Sequence, residues 1–213
     1  IDLAEGRAEV VHEDDAYISH VNTSPARPDL LTFCHEGAPW RLKSRIWGLN
    51  MGDGKVWPIR PLTEAEGVNH EWWFPDGERI GFMASRGPNY KTTSIGWIRW
   101  DSSDIAEYPS NVHCIHYYGN STDLIVGDGT PQQPYLFAWS LKDGKWLGPK
   151  VVCYHGSSFV CQAVHAHPRI SPDRSHVILT SDASCYGNVY RVDLKPFDQL
   201  PDWPLPEGKG RHK

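Results

Sequence analysis

The chain has 213 residues and a formal net charge of −5, from 21 Lys and Arg against 26 Asp and Glu. Its basic residues are scattered and do not form the positive stripe that nucleic acids require, which argues against a nucleic-acid partner. No run approaches the roughly 20 apolar residues that cross a bilayer, so we expect no membrane partner. The 5 Cys have no C-x-x-C spacing and the first residues are not a secretory signal, which favours a reducing, cytoplasmic setting.

Apolar residues come in short runs bounded by Gly, Pro, Asn and Asp, with almost no sustained helical periodicity. This pattern predicts an all-β protein. In chain order the runs cover 30–33, 45–49, 79–83, 95–100, 124–126, 135–139, 177–180 and 189–192. Turn signals at 52–54, 75–77 and 143–144 fall between the runs, as β-hairpins require.

One unit recurs four times: a histidine, a polar turn, an apolar strand and a second, aromatic-rich strand. The copies begin at His20, His70, His116 and His167. A period of about 40 to 50 residues with several short strands per repeat is typical of β-propeller blades. We therefore predict a β-propeller domain over 1–195, with about four blades present.

The two ends of the chain are expected to differ from the repeats. The segment 5–15 resembles the outer strand of a blade whose earlier strands are absent, which suggests the C-terminal part of a larger propeller. The Pro-rich segment 196–213 is expected to be a poorly ordered tail.

The histidines that open the repeats are the main functional signal. Innermost strands surround the channel of a propeller, so equivalent residues of adjacent blades should converge at one of its ends. A single histidine at this position is more often a hydrogen-bonding partner within its own blade. Four of them, at His20, His70, His116 and His167, favour a cluster of imidazoles.

A Q-x-x-H-x-H element reinforces this signal in the fourth repeat. His165 and His167 are two residues apart, so on a strand they would share a face and hold one cation. Gln162 lies at odd spacing and needs a bend to reach the same ion. A neighbouring blade would add one more imidazole, His116 first and His113 second. This neutral set with an oxygen ligand favours a harder divalent ion over structural zinc.

Several segments together carry a family resemblance. They are FCHEGAPW (33–40), RIWGLN (45–50), HEWWFPDGERI (70–80), LIVGDG (124–129) and QAVHAHPRISPDRSHVILTSD (162–182). From about 17 to 194 the chain resembles oligogalacturonate lyases, propeller-fold polysaccharide lyases that finish the breakdown of pectin fragments. The resemblance implies a seven-bladed propeller, a manganese ion, and β-elimination on short galacturonate oligomers in the cytoplasm.

The resemblance also implies roles for particular residues. The metal ligands would be His116, Gln162, His165 and His167, although the loop after His116 is one residue shorter than expected and leaves His113 possible. The catalytic base would be His70, with Arg45 beside it to clamp the substrate carboxylate. Apart from the resemblance, we expect substrate contacts from His20, His35 and Glu36. The alternative for His35 and Glu36 is that they hold the loop before Trp40.

Other interpretations remain open at this point. A non-catalytic propeller that serves as an interaction scaffold would need no metal. A metal-dependent hydrolase would need a carboxylate base at the channel, where the repeat positions offer histidines. Arg45, which opens a strand, has an ordinary alternative as a surface ion-pair partner. The Trp72-Trp73 pair is more typical of blade packing than of a sugar platform.

Overall fold

The computed structural model describes residues 4–38, 41–63, 66–87, 92–121 and 123–205. Within them the chain forms four antiparallel sheets in succession, three of four strands and one of three. Each sheet is one blade, which confirms the predicted all-β propeller with four blades. No helix in the described part of the chain is both long and apolar enough to span a bilayer.

The strands are numbered in chain order. The first two blades contain β1 (Tyr17–Thr23), β2 (Leu30–Glu36), β3 (Ser44–Asn50), β4 (Val56–Pro61), β5 (Glu66–Trp73), β6 (Arg79–Arg86), β7 (Thr92–Arg99) and β8 (Ile105–Ser110). The last two contain β9 (Tyr117–Ser121), β10 (Leu124–Gly127), β11 (Tyr135–Lys142), β12 (Lys145–Tyr154), β13 (Arg169–Ile170), β14 (His176–Ser181) and β15 (Asn188–Asp193). Short 3₁₀ helices cover Gln162–Val164 and Phe197–Gln199.

The first strand of every blade lies on the inside of the arc. In each sheet the strands pair in sequence order, so β1, β5, β9 and β13 are edge strands. These edge strands contact one another across neighbouring blades, β1 with β5, β5 with β9, and β9 with β13. They therefore line the channel, and residues at their beginnings meet there.

Two of the channel strands carry a bulge at the repeat histidine. The register of β1 shifts between Ser19 and Asn22, and the register of β5 shifts between Asn69 and Trp72. Within these bulges His20 has φ 49° and His70 has φ 55°. His167, just before β13, has φ 42°. Positive φ is uncommon for residues other than glycine, and a bulge re-aims a side chain, so three of the four repeats share one inward-turned conformation.

Buried apolar side chains between neighbouring sheets hold the blades in place. Trp72 and Phe74 of the second blade pack in one cluster with Ile125 and Phe137 of the third. The Trp72 indole covers Gly81 so closely that a Cβ at that glycine would overlap it. Each such side chain contributes about 1.5–3 kcal/mol on burial, so the relative position of the blades is well determined.

Both ends of the described chain depart from the sequence-based expectations. Residues 5–15 form no strand, so the predicted outer strand is wrong. At the other end Leu200 is only 5% exposed, and the Val151 amide donates to the Pro201 carbonyl at 2.8 Å. The segment 196–205 is thus packed on the third blade, in contrast with the poor order expected. The rest of the tail, 206–213, lies outside the described residues.

Candidate metal and catalytic site

A cavity of about 230 Å³ lies between the bulges of β1 and β5 and the residues that precede β9 and β13. Its lining includes side chains from all four blades: His20, His70, Glu71, His116, Gln162, His167 and Arg169. The four repeat histidines therefore meet at one cavity, as their repeat position predicted.

Three imidazoles form a compact group on the side of the third and fourth blades. Ring nitrogens of His116, His165 and His167 lie within 4.8 Å of one another. The ring centroids of His116 and His167 are 3.8 Å apart. His113 is not part of this group, because its Nδ1 lies 3.2 Å from the Thr93 hydroxyl. The geometry therefore favours His116 over His113 as the third imidazole.

The Q-x-x-H-x-H element reaches the group by a route that the sequence did not predict. Residues Gln162–Val164 form a 3₁₀ helix, His165 follows it with φ −66° and ψ 144°, and His167 has φ 42°. The two histidines are therefore not on a strand, and that prediction is wrong. The helix supplies the bend that Gln162 needed, because its amide nitrogen lies 3.5 Å from His167 Nε2. Rotation of the terminal amide of Gln162 by 180° exchanges its nitrogen and oxygen, and would place the oxygen at this position next to His167.

A fully buried carboxylate orients His116. Asp128, 0% exposed, accepts from the His116 backbone amide at 2.7 Å, and its other oxygen lies 2.7 Å from His116 Nδ1. Its backbone carbonyl accepts from His155 Nε2 at 2.9 Å. A carboxylate behind an imidazole fixes its orientation and raises its basicity as a ligand. Sequence reasoning missed Asp128, although an acidic residue in the GDG after a buried strand was an available signal.

Two ring nitrogens of the group lack a hydrogen-bond partner. Among the described residues, buried His116 Nε2 and His165 Nδ1 have none. A buried polar atom without a partner costs about 1–3 kcal/mol, so these two nitrogens are suited to bind a ligand. Imidazoles with a carboxylate behind one of them are a donor set that fits a divalent transition metal.

His70 stands next to the imidazole group. Its ring centroid is 4.6 Å from that of His116, with the planes inclined at 73°. Burial, reinforced by the nearby charges of His116 and Arg45, lowers the pKa of His70 to about 3 from its ordinary 6.5. The imidazole is therefore neutral at pH 7 and able to accept a proton.

On the side of the first two blades, Arg45 is held by two carboxylates. Its Nη1 and Nη2 donate to the two oxygens of Glu36 at 2.9 and 3.1 Å, and its Nε donates to Glu71 at 3.3 Å. The Glu71 side chain is 1% exposed and also accepts from the Cys34 thiol. The bidentate hydrogen bonds that we expected for a substrate carboxylate thus go to Glu36. Sequence reasoning missed Glu71, which immediately follows His70.

The three predicted substrate contacts occupy different places. His20 lines the cavity, with Nε2 3.5 Å from Glu36 and Nδ1 3.7 Å from Glu71. Glu36 is connected to the cavity through Arg45 and His20. His35 lies apart from the cavity lining, since its ring stacks on Trp47 at 4.7 Å and its Nε2 is 3.0 Å from an Asp14 oxygen. The structure therefore does not bring His35 to the site.

Comparisons with known proteins bear on both fold and site. The family model described as oligogalacturonate lyase matches residues 1–197. A curated relative, oligogalacturonate lyase of Dickeya dadantii, is 25% identical over 211 residues, which cover 89% of this chain and 53% of that protein. The chain thus spans about half the length of the curated relatives it matches.

Solved structures agree with this result. An oligogalacturonate lyase in complex with manganese has a TM-score of 0.81 at 24% identity, over 92% of this chain and 53% of that one. The oligogalacturonate lyase of Vibrio parahaemolyticus has a TM-score of 0.81 at 26% identity, over 92% and 54%. Since the family model covers almost all of the sequence, this chain belongs to the oligogalacturonate lyase family.

Proposed function

We propose that the full-length protein is an oligogalacturonate lyase that cleaves short galacturonate oligomers by β-elimination with the help of a divalent cation, manganese. The observation that carries this proposal is a group of three imidazoles, two of them with an unpartnered ring nitrogen, beside a neutral His70 that lines the same cavity as His116 and His167. Family membership and the manganese complex of a similar fold support it.

The reaction makes specific demands on the site. In a 4-linked uronate the C5–H bond next to the carboxylate breaks, its electron pair forms the C4–C5 double bond, and the C4–O4 bond breaks to release the leaving sugar. The C5 proton is weakly acidic, and the negative charge that develops spreads onto the carboxylate. When bound, the cation supplies Lewis-acid stabilisation of that charge, worth several kcal/mol.

The residues that would hold the cation are His116, His165 and His167, with the Gln162 amide oxygen as a fourth ligand. Asp128 holds His116 with Nε2 turned away from the carboxylate and towards the other imidazoles. Because these donors are neutral, they leave the cation its full charge for the substrate.

His70 would accept the C5 proton. A histidine that acts as general base must be within reach of the proton and unprotonated, and burial keeps this imidazole in its neutral form. The same low pKa makes protonated His70 unstable, so it hands the proton on readily, to the leaving oxygen or to water. The base is thereby regenerated for the next turnover.

While Arg45 is paired with Glu36, it would contribute to catalysis through its positive charge and not through a contact with the substrate. Its charge helps to keep His70 neutral and balances buried Glu71. A direct clamp on the substrate carboxylate requires Glu36 to release the guanidinium first, since both terminal nitrogens are engaged with it.

Neither rival function accounts for these features. A scaffold gives no reason for buried ring nitrogens without partners. A hydrolase with bound water as nucleophile needs a carboxylate base, and the carboxylate in the described lining, Glu71, is already engaged by Arg45 and Cys34.

Three further expectations are part of the proposal: seven blades in the full-length protein, a domain boundary at 195/196, and a cytoplasmic location. The number of blades rests on the resemblance, and the boundary follows the end of β15 at Asp193. All 5 cysteines are free thiols, which suits a reducing compartment.

The decisive experiment is a lyase assay of the full-length protein with digalacturonate. Formation of the unsaturated uronate is followed by its ultraviolet absorbance, first after chelation and then after addition of manganese. We expect activity that depends on the metal. Release of reducing sugar without the unsaturated product would indicate a hydrolase, and no turnover with any metal would indicate a scaffold.

A further inference from the structure

Arg169 is a cation at the cavity without an acidic partner. It opens β13, lines the cavity and is exposed, and its guanidinium carbon lies 4.4 Å over the ring of Tyr118. Among the described residues its side chain has no hydrogen bond or ion pair, while its backbone pairs with β14. Most other described arginines pair with a carboxylate: Arg7, Arg27, Arg45, Arg60, Arg79, Arg86, Arg99, Arg174 and Arg191.

Arg169 also borders a second cavity, of about 430 Å³, farther along the channel strands. The two cavities share Glu71, Trp72 and Arg169 in their walls, so they are neighbouring parts of one groove. The second cavity is further lined by aromatic rings, Trp73 and Tyr118. Aromatic faces beside polar groups are suited to a sugar ring.

The hydrogen-bonding groups at the junction of the cavities favour an anion at Arg169. Glu71 is the carboxylate that the two described linings share, and its oxygens already accept from Arg45 Nε and from the Cys34 thiol. Among the described residues, no carboxylate therefore pairs with the guanidinium of Arg169. Its contact with Tyr118 holds the plane of the group by a cation–π interaction and leaves the edge N–H donors free for a bidentate partner.

The position of Arg169 separates it from the metal group. Tyr118 and Arg169 each follow an imidazole of that group, His116 and His167, by two residues. Arg169 also lines the second cavity, and none of the three imidazoles is in the described lining of that cavity. A carboxylate held by Arg169 there would belong to a different sugar from the one whose carboxylate meets the metal.

We propose that Arg169 binds the carboxylate of the galacturonate residue adjacent to the one that reacts, and that the second cavity receives the ring of that residue. The inference rests on the proposed function and refines it. It makes the protein selective for a substrate with two neighbouring uronates and assigns the recognition of the second uronate to Arg169.

The test compares two substrates in the manganese-loaded, full-length protein: digalacturonate, and digalacturonate methyl-esterified only on the non-reacting residue. Charged hydrogen bonds are worth about 1.5–3 kcal/mol, so we expect the ester to raise the wild-type KM about 10- to 100-fold. Arg169→Gln should raise the KM for the free acid by a similar factor, with a smaller change in kcat and unchanged manganese content. In that variant the two substrates should have nearly equal KM.

Two further variants complete the experiment. Arg169→Lys keeps the positive charge but loses the two parallel N–H donors of the guanidinium. Its KM for the free acid should therefore lie between those of wild type and Arg169→Gln. Arg191→Gln removes an exposed arginine of the same blade and should keep the wild-type preference for the free acid. If Arg169→Gln discriminates between the substrates as well as wild type does, the inference is wrong. If the wild-type protein shows no elimination at all, the proposed function itself fails.

Discussion

The two sides of the candidate site differ in whether their buried polar groups have hydrogen-bond partners. On the side of the first two blades, each of the three nitrogens of the Arg45 guanidinium donates to a carboxylate oxygen of Glu36 or Glu71. On the side of the third and fourth blades, His116 and His165 keep buried nitrogens that no described residue satisfies.

The groups on the first side are paired with one another, whereas the imidazoles on the second side have nitrogens that are free to bind a ligand. A closed ion-pair network is already near its best arrangement without substrate, so it supports the site electrostatically. Buried imidazoles without partners lose free energy until something binds them. We therefore expect substitutions on the imidazole side to have the larger functional effects.

The largest effect is expected when the imidazole side is dismantled. His165→Ala combined with His167→Ala removes two of three imidazoles, so manganese should be lost and turnover should fall by about 1,000-fold or more, as loss of several kcal/mol of stabilisation implies. Elemental analysis and the lyase assay measure both quantities. His113→Ala is the control, because this exposed histidine lies outside the group and should change neither. A double variant that retains stoichiometric manganese would rule out the site.

The next largest effect concerns His70, which lies between the two sides. His70→Ala should lower kcat by about 100- to 10,000-fold, the usual cost of removing a general base. Manganese content should stay at the wild-type level, because the side chain is needed for the proton and not for the ion. Near-native turnover in this variant would show that His70 is not the base. The next candidate would be His20, which also lines the cavity and is outside the metal group.

Asp128→Asn tests whether orientation of His116 is part of the imidazole side. The amide keeps the shape but loses the charge that fixes and polarises the ring, so manganese affinity should fall about 10- to 100-fold. Metal titration of the chelated protein measures this affinity. Asp193→Asn, which changes an exposed carboxylate on β15, should leave it unchanged. If the two variants bind manganese with equal affinity, Asp128 contributes to packing and not to metal binding.

The smallest effect is expected on the paired side. Glu36→Gln frees the fork of Arg45, and partly exposed ion pairs are worth up to about 1 kcal/mol, so the KM for digalacturonate should fall no more than about fivefold. A fall in KM would show that Glu36 competes with the substrate carboxylate for Arg45. A rise would show that the closed network is the working arrangement, and the clamp hypothesis for Arg45 would be wrong.

The fold was largely predictable because short apolar runs recur at a regular period along the sequence. The convergence of His20, His70, His116 and His167 followed from the same period. The local backbone of the Q-x-x-H-x-H element did not follow, since a 3₁₀ helix at Gln162–Val164 cannot be distinguished from a strand over so few residues.

Asp128 and Glu71 were missed for a common reason. Their roles depend on burial and on contacts with residues distant in sequence, and local signals such as the GDG at Asp128 do not identify those contacts. His35 shows the reverse error, because we expected it, together with Glu36, at the substrate end of the channel and it lies apart from the cavity. Neighbouring residues on a strand point to opposite faces, and its ring packs on Trp47.

The left-handed histidines in the bulges of β1 and β5, and before β13, have a consequence for how such a protein arises. A kink of this kind belongs to the repeating unit, so every duplication of the unit copies one inward-turned side chain along with the blade. A ring of equivalent positions is then present before any of them has a task. Later divergence then needs only to exchange the side chain at each position, so that different blades can take on different roles at the same cavity.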